Sequence, residues 1–409
     1  MSKLEELIQE LCPDGVEYKP LGDICIVSGR IGFRGYTKQD QVEKGEGALS
    51  LSPSNIGENG IDFSNSTYIN WDKYNESPEI MVSNGDIIFT KTASVGKTEY
   101  VDNLPCKATI NPQLVLIKEI KCNSKYLSYV LKTKEFQKKV MKIKGQGTIP
   151  TISQKEFIKL TVPVPPLEVQ KEIVRLLDEF TAKTAELQAE LNKEYEARKK
   201  QYEYYRDSLF SDKLNDLSLE LCPNGVQYCE LKEIADISTG SHNTNEGVEN
   251  GMYPFYVRSQ EPLTLNSYDY DETAIITAGD GVGVGKVFHF VNGKYALHQR
   301  AYRIHANTTK VEDKFLYYYF CTNFMKYIEK TMFKGSVPSI RRPMLNAFKI
   351  PVPPLEIQQK IVRLLDDFTA KTTKLQDNLN EELEACKKQY EFYRDKLLTF
   401  KELNESEVN

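Results

Sequence analysis

The sequence predicts an α+β chain with a pseudo-twofold internal repeat. Two modules of mixed, strand-rich structure are expected, separated by two long antiparallel coiled-coil helices. Three observations carry this. The stretch PVPPLEVQKEIVRLLDEFTAKT (Pro163–Thr184) returns as PVPPLEIQQKIVRLLDDFTAKT (Pro351–Thr372), and the match continues without gaps to Leu209 and Leu397, with 34 of 47 positions identical at an offset of 188. A shorter phrase, LCPDGVEY (Leu11–Tyr18), returns as LCPNGVQY (Leu221–Tyr228) at an offset of 210. After Pro166 and Pro354 no Gly or Pro interrupts the chain for more than forty residues. The order is short motif, variable segment, long motif, twice over.

Read along the chain, residues 1–18 form an N-terminal scaffold segment and 19–162 the first insert. Residues 163–210 form the central helix, 211–228 a scaffold linker and 229–350 the second insert. Residues 351–400 form the C-terminal helix and 401–409 a tail. The short motif has no long helix before it in its first copy, whereas the second copy follows one. The repeat is therefore circularly permuted, and the N-terminal segment is expected to pack near the C-terminal helix.

In each insert, strands are expected at Asp86–Thr90, Leu114–Ile117, Ala274–Thr277 and Lys286–Phe290, where apolar runs lie between Gly and Asn turns. Each insert closes on one helix, Lys125–Lys142 and Lys314–Met332. A matched loop follows, GQGTIPTIS (Gly145–Ser153) and KGSVPSIRR (Lys334–Arg342), with Pro150 and Pro338 at the same offset of 188.

Tandem prolines suit a helix start, where the missing N–H costs nothing. Apolar residues then step by four and three, at Ile173, Leu177, Phe180, Leu187 and Leu191, and at Ile361, Leu365, Phe368, Leu375 and Leu379. That spacing predicts a coiled-coil seam, with Thr184 and Thr372 in its middle. Each helix would be about 65 Å long at 1.5 Å per residue. One alone would expose its seam, and two in one chain can cover each other about a pseudo-twofold axis.

Composition excludes several classes. The 409 residues carry a formal net charge of −5, so any basic surface must be local. The first insert leans positive by about five charges, mostly through lysines between Lys118 and Lys144; the second is near neutral but clusters Arg300, Arg303, Arg341 and Arg342. Eight cysteines include no C-x-x-C pair, and only four histidines exist, which leaves no metal site and suggests reduced thiols. No signal-peptide core or bilayer-length apolar run occurs, so a cytoplasmic protein with no membrane association is expected.

Catalytic patterns fail one by one. KTASVGKT (Lys91–Thr98) lacks the first glycine of a phosphate loop, and GDGVGVGKV (Gly279–Val287) lacks the hydroxyl that binds magnesium. Both VGK copies read better as hairpin turns with an exposed lysine. The prolines of VPVPPL and IPVPPL lack the amide and aromatic of an amino-methyltransferase motif, and Glu312–Lys314 is a weak imitation of a nuclease core. The chain should bind rather than react.

The repeated PPLE-x-Q helix start, the IPVP strand before the second copy, the loops with Pro150 and Pro338, and YPFYVRS (Tyr253–Ser259) together resemble the specificity subunits of type I restriction–modification enzymes. The resemblance covers nearly the whole chain. It implies that each insert is a target-recognition domain reading one half of a split, asymmetric site in double-stranded DNA. It implies that the helices dock two methyltransferase subunits and, in some systems, restriction subunits. S-adenosylmethionine, ATP and Mg would then reside on those partners, with no cofactor on this chain. The helix pair would act as a ruler, so a length change in Lys183–Glu203 would alter the gap between half-sites.

Base edges in the major groove suit Arg or Lys at guanine and Asn or Gln at adenine. On residue type and loop position, the candidates in the first insert are Arg30, Arg34, Lys91, Lys97, Gln113, Gln146 and Thr148. In the second they are Arg258, Lys286, His298, Gln299, Arg300, Ser336, Arg341 and Arg342. Residues alone leave two rivals open: a two-module coiled-coil scaffold that binds other proteins without DNA sequence specificity, and a fused restriction–modification enzyme with hidden nuclease chemistry, against which the missing carboxylate–lysine core argues.

Overall fold

A computed structural model describes residues 2–30, 35–57, 60–64, 66–145, 149–330 and 338–403. They divide into two compact units, Met1–Ala189 with Glu381–Asn409, and Glu190–Asn380. Compactness thus divides each long helix near its middle, because each half packs with its own insert.

The long helices run Leu167–Leu209 and Leu355–Leu397, as the proline starts and unbroken polar–apolar pattern predict. In the second unit Tyr195 Oη donates to Gln376 Oε1 (3.2 Å), the Tyr202 and Thr369 hydroxyls lie 3.4 Å apart, and the Tyr205 and Phe368 rings stack at 5.6 Å. Rising numbers on one helix meet falling numbers on the other, so the pair is antiparallel there. The first unit repeats the ring contact with Phe180 against Tyr393, both centroids 6.0 Å apart, and adds Tyr390 at the same distance.

The seam differs from a plain coiled coil. Ile173 and Leu177, and likewise Ile361 and Leu365, are fully buried in cores built from their own insert together with Tyr390 and Leu397, or Tyr202 and Leu209, of the other long helix. Phe180, Leu187, Leu191, Phe368 and Leu375 are half-buried, and Leu379 is buried. The first three turns of each helix are therefore part of a globular core, because the insert folds back over them.

Each insert is closed at its base by the same clasp. Tyr18–Pro20 pairs antiparallel with Thr161–Pro163, and Tyr228–Glu230 with Lys349–Pro351, in one register, Tyr18 opposite Pro163 and Tyr228 opposite Pro351. The expected permutation is present. Val16 N–H donates to Lys401 O (2.8 Å), Tyr18 Oη to Phe400 O (3.1 Å), and Leu4 is buried with Leu398.

The first insert holds a four-stranded sheet, in the order Thr98–Tyr100, Ile87–Thr90, Leu114–Lys118, Ile26–Ser28, and a five-stranded sheet through Ala48–Leu51 and Ala108–Ile110. Its central strands are apolar throughout because both faces are covered. Ile87, Phe89, Val115 and Ile117 face the helices, while Ile88, Leu114 and Leu116 face the second sheet. The second insert holds one six-stranded sheet, and Ile275 on one face alternates with Ala274 and Ile276 on the other.

Several boundaries differ from sequence expectation, among them the strand expected at Ala274–Thr277, which runs Tyr270–Ala278, and two have a visible cause. The helix expected at Lys125–Lys142 is two helices, Ser124–Leu131 and Lys134–Lys142, because Thr133 Oγ1 donates to Val130 O (2.7 Å) and caps the next turn at Phe136 N–H (3.3 Å). The strand expected from Lys286 begins at Phe288, since Lys286 and Val287 N–H both bond to Gly283 O within a turn. The second insert's helix runs Asp313–Ile328. Among the described residues no helix is long and apolar enough to cross a membrane, and no cluster of metal-ligating side chains occurs.

One joint fixes each insert to its long helix. Asp178 accepts from Lys125 Nζ (2.7 Å) and Tyr129 Oη (2.5 Å); Asp366 accepts from Lys314 Nζ (2.7 Å) and Tyr318 Oη (2.6 Å). Gln170 accepts from Asn123 N–H and donates to Pro165 O, and Gln358 accepts from Glu312 N–H and donates to Pro353 O. Asp178→Ala should weaken this joint by about 1–2 kcal/mol, the usual size for charge-assisted bonds. Hydrogen exchange should quicken in Ser124–Leu131 and stay unchanged in Asp313–Ile328, with Asp366→Ala giving the reverse.

Candidate nucleic-acid interface

The two inserts share almost no sequence, yet one surface feature recurs at the repeat offset. In the first, Ala93 N–H donates to Pro150 O and Ile152 N–H to Lys91 O, both 2.9 Å. In the second, Gly281 N–H donates to Pro338 O and Ile340 N–H to Gly279 O, both 2.9 Å. Thr92 thus bridges to Thr151, and Asp280 to Ser339. Ala93 and Gly281 both adopt positive φ, 65° and 84°. The matched proline loop is stitched to the turn that imitates a phosphate loop.

The VGK glycines have a structural role. A Cβ on Gly96 would lie 2.2 Å from Gln137 Oε1, and one on Gly285 would lie 2.4 Å from Met325 Sδ. Both glycines have positive φ, and both pack on the insert's helix. The close approach leaves Lys97 and Lys286 exposed on the turn, with no ion-pair partner among the described residues.

Side chains on this shared bridge differ between inserts. In the first, the Thr92 and Thr151 hydroxyls pair at 3.0 Å. Lys91 beside them is half-buried, and burial pushes its amine below the ordinary lysine range. Its N–H is bonded to Gln113 O (2.9 Å), so Lys91 and Gln113 are neighbours. In the second insert, Asp280 accepts from Arg258 Nη1 (2.6 Å) and Arg300 Nη1 (3.0 Å). Burial opposes ionisation of Asp280, but hydrogen bonds from Arg258 and Arg300 hold its carboxyl below the usual range. Gln299, exposed next to Arg300, donates through Nε2 to Asn243 Oδ1.

Other candidates lie elsewhere. Arg30 is buried, its Nε donating to Ile110 O (3.1 Å) and Nη2 to Thr109 Oγ1 (3.0 Å), so it braces the interior of the first insert. His298 is also buried; its Nδ1 accepts from Arg300 N–H (3.0 Å), and burial followed by the charge of Arg258 lowers its pKa. That neutral ring shapes the loop that carries Arg300. Arg303, counted among the basic residues, is buried against Glu272 and Asp236. Arg341 and Arg342 are exposed at the start of a short helix after Ile340. Arg34, Gln146, Thr148 and Ser336 lie outside the described residues.

Four of the nine lysines from Lys118 to Lys144 are committed to ion pairs. Lys125 meets Asp178, Lys132 meets Glu99, Lys134 meets Glu391 and Lys139 meets Glu135. Sequence reasoning missed Asp280, the Thr92–Thr151 pair and the joint residues Asp178 and Asp366. The joint had a signal: K-x-x-x-Y occurs at Lys125–Tyr129 and at Lys314–Tyr318, offset by 189.

Comparison with known proteins places these features. The sequence matches the type I restriction modification DNA specificity domain over residues 13–197 and again over 223–385. It is 34% identical over 270 residues to the EcoR124I/EcoR124II specificity subunit of Escherichia coli, covering 59% of this chain and 63% of that one. It is 31% identical over 273 residues to a putative type I restriction enzyme specificity subunit of Haemophilus influenzae, covering 62% and 69%. The aligned region thus spans somewhat under two thirds of the first relative's length. Among solved structures, a chain from a study of assembly and conformational transition in the type I R-M system superposes with a TM-score of 0.67 at 18% identity, covering 95% of this chain and 98% of that one. The HsdS subunit from Thermoanaerobacter tengcongensis gives 0.52 at 16% identity, covering 95% and 97%. These two likenesses establish the fold.

Gly285→Ala should destabilise the second unit by roughly 1–3 kcal/mol, from strain at positive φ plus the clash with Met325. Lys286→Ala should leave stability within about 0.5 kcal/mol. A thermal melt of each variant checks the difference.

Proposed function

The chain belongs to the type I restriction modification DNA specificity family, and from that premise we propose that it is the non-catalytic, sequence-reading subunit of a type I restriction–modification complex. Each insert reads one half of a split, asymmetric site in double-stranded DNA. The helices dock two methyltransferase subunits, and restriction subunits where the system has them. Adenine methylation and ATP-driven cleavage are then the partners' chemistry, with S-adenosylmethionine, ATP and Mg held by those partners. The setting is the cytoplasm.

One observation carries the reading. The same backbone bridge, on the same clasp and joint, bears a neutral threonine pair in one insert and an aspartate between two arginines in the other. Identical scaffolds with unlike side chains at one place suit a protein that addresses two different half-sites through one mode of docking. Exposed Lys97 and Lys286 on the adjoining turns would supply phosphate contacts, which orient a reader without specifying bases.

The test is a map of N6-methyladenine in the source genome by single-molecule sequencing, with the gene intact, deleted, and carrying a foreign second insert in place of residues 229–350. Deletion should abolish methylation at one split motif, and the exchange should change one half of that motif only. An unchanged map after deletion, in a strain shown to express the complex, would refute the proposal. Lys97→Ala and Lys286→Ala should each weaken duplex binding about equally on all sequences and flatten the log–log salt slope by roughly one.

A further inference from the structure

We propose that Asp280 is a positioning residue that holds Arg258 and Arg300 as a guanine-reading fork, so that the half-site taken by the second insert includes a G·C pair read at this point; the inference rests on the proposed DNA-reading function and deepens it. Arg258 and Arg300 come from separate loops, after Tyr253–Tyr256 and after Phe288–Leu297. They meet only through the two oxygens of Asp280, 2.6 Å and 3.0 Å away. Asp280 in turn is fixed by the backbone bridge to Ser339, and Arg300 by its N–H bond to His298 Nδ1. The carboxylate is largely covered, its side chain 21% exposed, whereas the arginines are 39% and 61% exposed. Each guanidinium therefore has one nitrogen tied back, and its remaining donors have no partner among the described residues.

This arrangement favours a base edge over a phosphate. A guanidinium meant only for phosphate gains from freedom and from net positive charge. A carboxylate placed between two arginines removes one of the two charges and repels phosphate, while holding the planar forks in one orientation. Guanine presents two acceptors, O6 and N7, at a spacing that a fork donor matches bidentately. Asp280 spends both oxygens on holding the arginines, so the group reads the guanine edge through their remaining donors. Adenine and thymine both place a mismatched group there: the adenine N6 amine faces donors, and the thymine methyl faces charge.

The experiment uses the full chain expressed with its methyltransferase subunits. The methylation motif is first mapped for the wild type, for Arg300→Ala and for Asp280→Ala. Both variants should lose discrimination at the same G·C pair of one half-site and keep the other half-site intact. Duplexes of the mapped motif are then made with 7-deazaguanine at each guanine in turn, which replaces the N7 acceptor by C–H and keeps O6 and the base-pairing edge. One substitution should weaken wild-type binding by about tenfold or more, and should cause no further loss with Arg300→Ala. A half-site with no guanine sensitive to 7-deaza substitution would overturn the proposal, as would an Asp280→Ala map identical to wild type. Should either variant fail to fold, the 7-deazaguanine series on the wild type decides alone. A wild-type complex that methylates no split motif would instead refute the DNA-reading function itself, and the fork with it.

Discussion

Everything in the two inserts hangs from a carboxylate on a long helix. Asp178 and Asp366 each hold a lysine and a tyrosine from the insert's own helix, one turn apart. Half-buried, such a group is favourable only with both oxygens satisfied, and here both are. Gln170 and Gln358 complete the attachment by bonding backbone on both sides, at Asn123 and Pro165, and at Glu312 and Pro353. The start of each long helix is therefore a wall of the insert's core. Ile173 and Leu177 are buried for that reason, and the Phe180 ring beyond them meets Tyr390 and Tyr393 of the other long helix.

That division explains which parts of the fold were legible in the sequence. The helices were plain, because proline starts and an unbroken pattern leave one solution over 43 residues. The strands DIIFT and LVLI were plain because continuous apolar runs imply cover on both faces, and two cores lie on either side of them. The seam was read too simply. A step of four and three marks a buried stripe but does not name what buries it. Thr133 ended a helix early for a reason that no periodicity carries, a single hydroxyl bonding back to Val130.

The candidate surface was legible in outline and misread in detail. Residue type suggested Arg30 and His298 as base readers, yet both are buried and serve the interior through Ile110 and Thr109, and through Arg300; Arg303, counted only in the basic cluster, is buried against Glu272. A guanidinium has five donors whether it faces a carbonyl or a solvent-filled groove, so type alone cannot separate the two. Asp280 stands in the sequence as a lone acid within the glycine-rich stretch Gly279–Val287. Its meaning lies in two arginines that are 22 and 20 residues away along the chain and join only in three dimensions. The recurring proline loop was the sound clue, since its partner turn sits at the same offset in both halves.

The stitched bridge also bears on how such a surface changes over generations. Its hydrogen bonds run from backbone to backbone, Ala93 to Pro150 and Gly281 to Pro338, and ask nothing of the side chains at Thr92, Thr151, Asp280 or Ser339. The bridge itself therefore survives a change of side chain at these four positions. A charge introduced there needs partners of its own, as Asp280 has in Arg258 and Arg300, and each such exchange alters what the bridge presents without moving it. Selection for new recognition then works on a frame that tolerates experiment, and the glycines at Gly96 and Gly285, locked against the helix behind them, are the fixed points from which such drift proceeds.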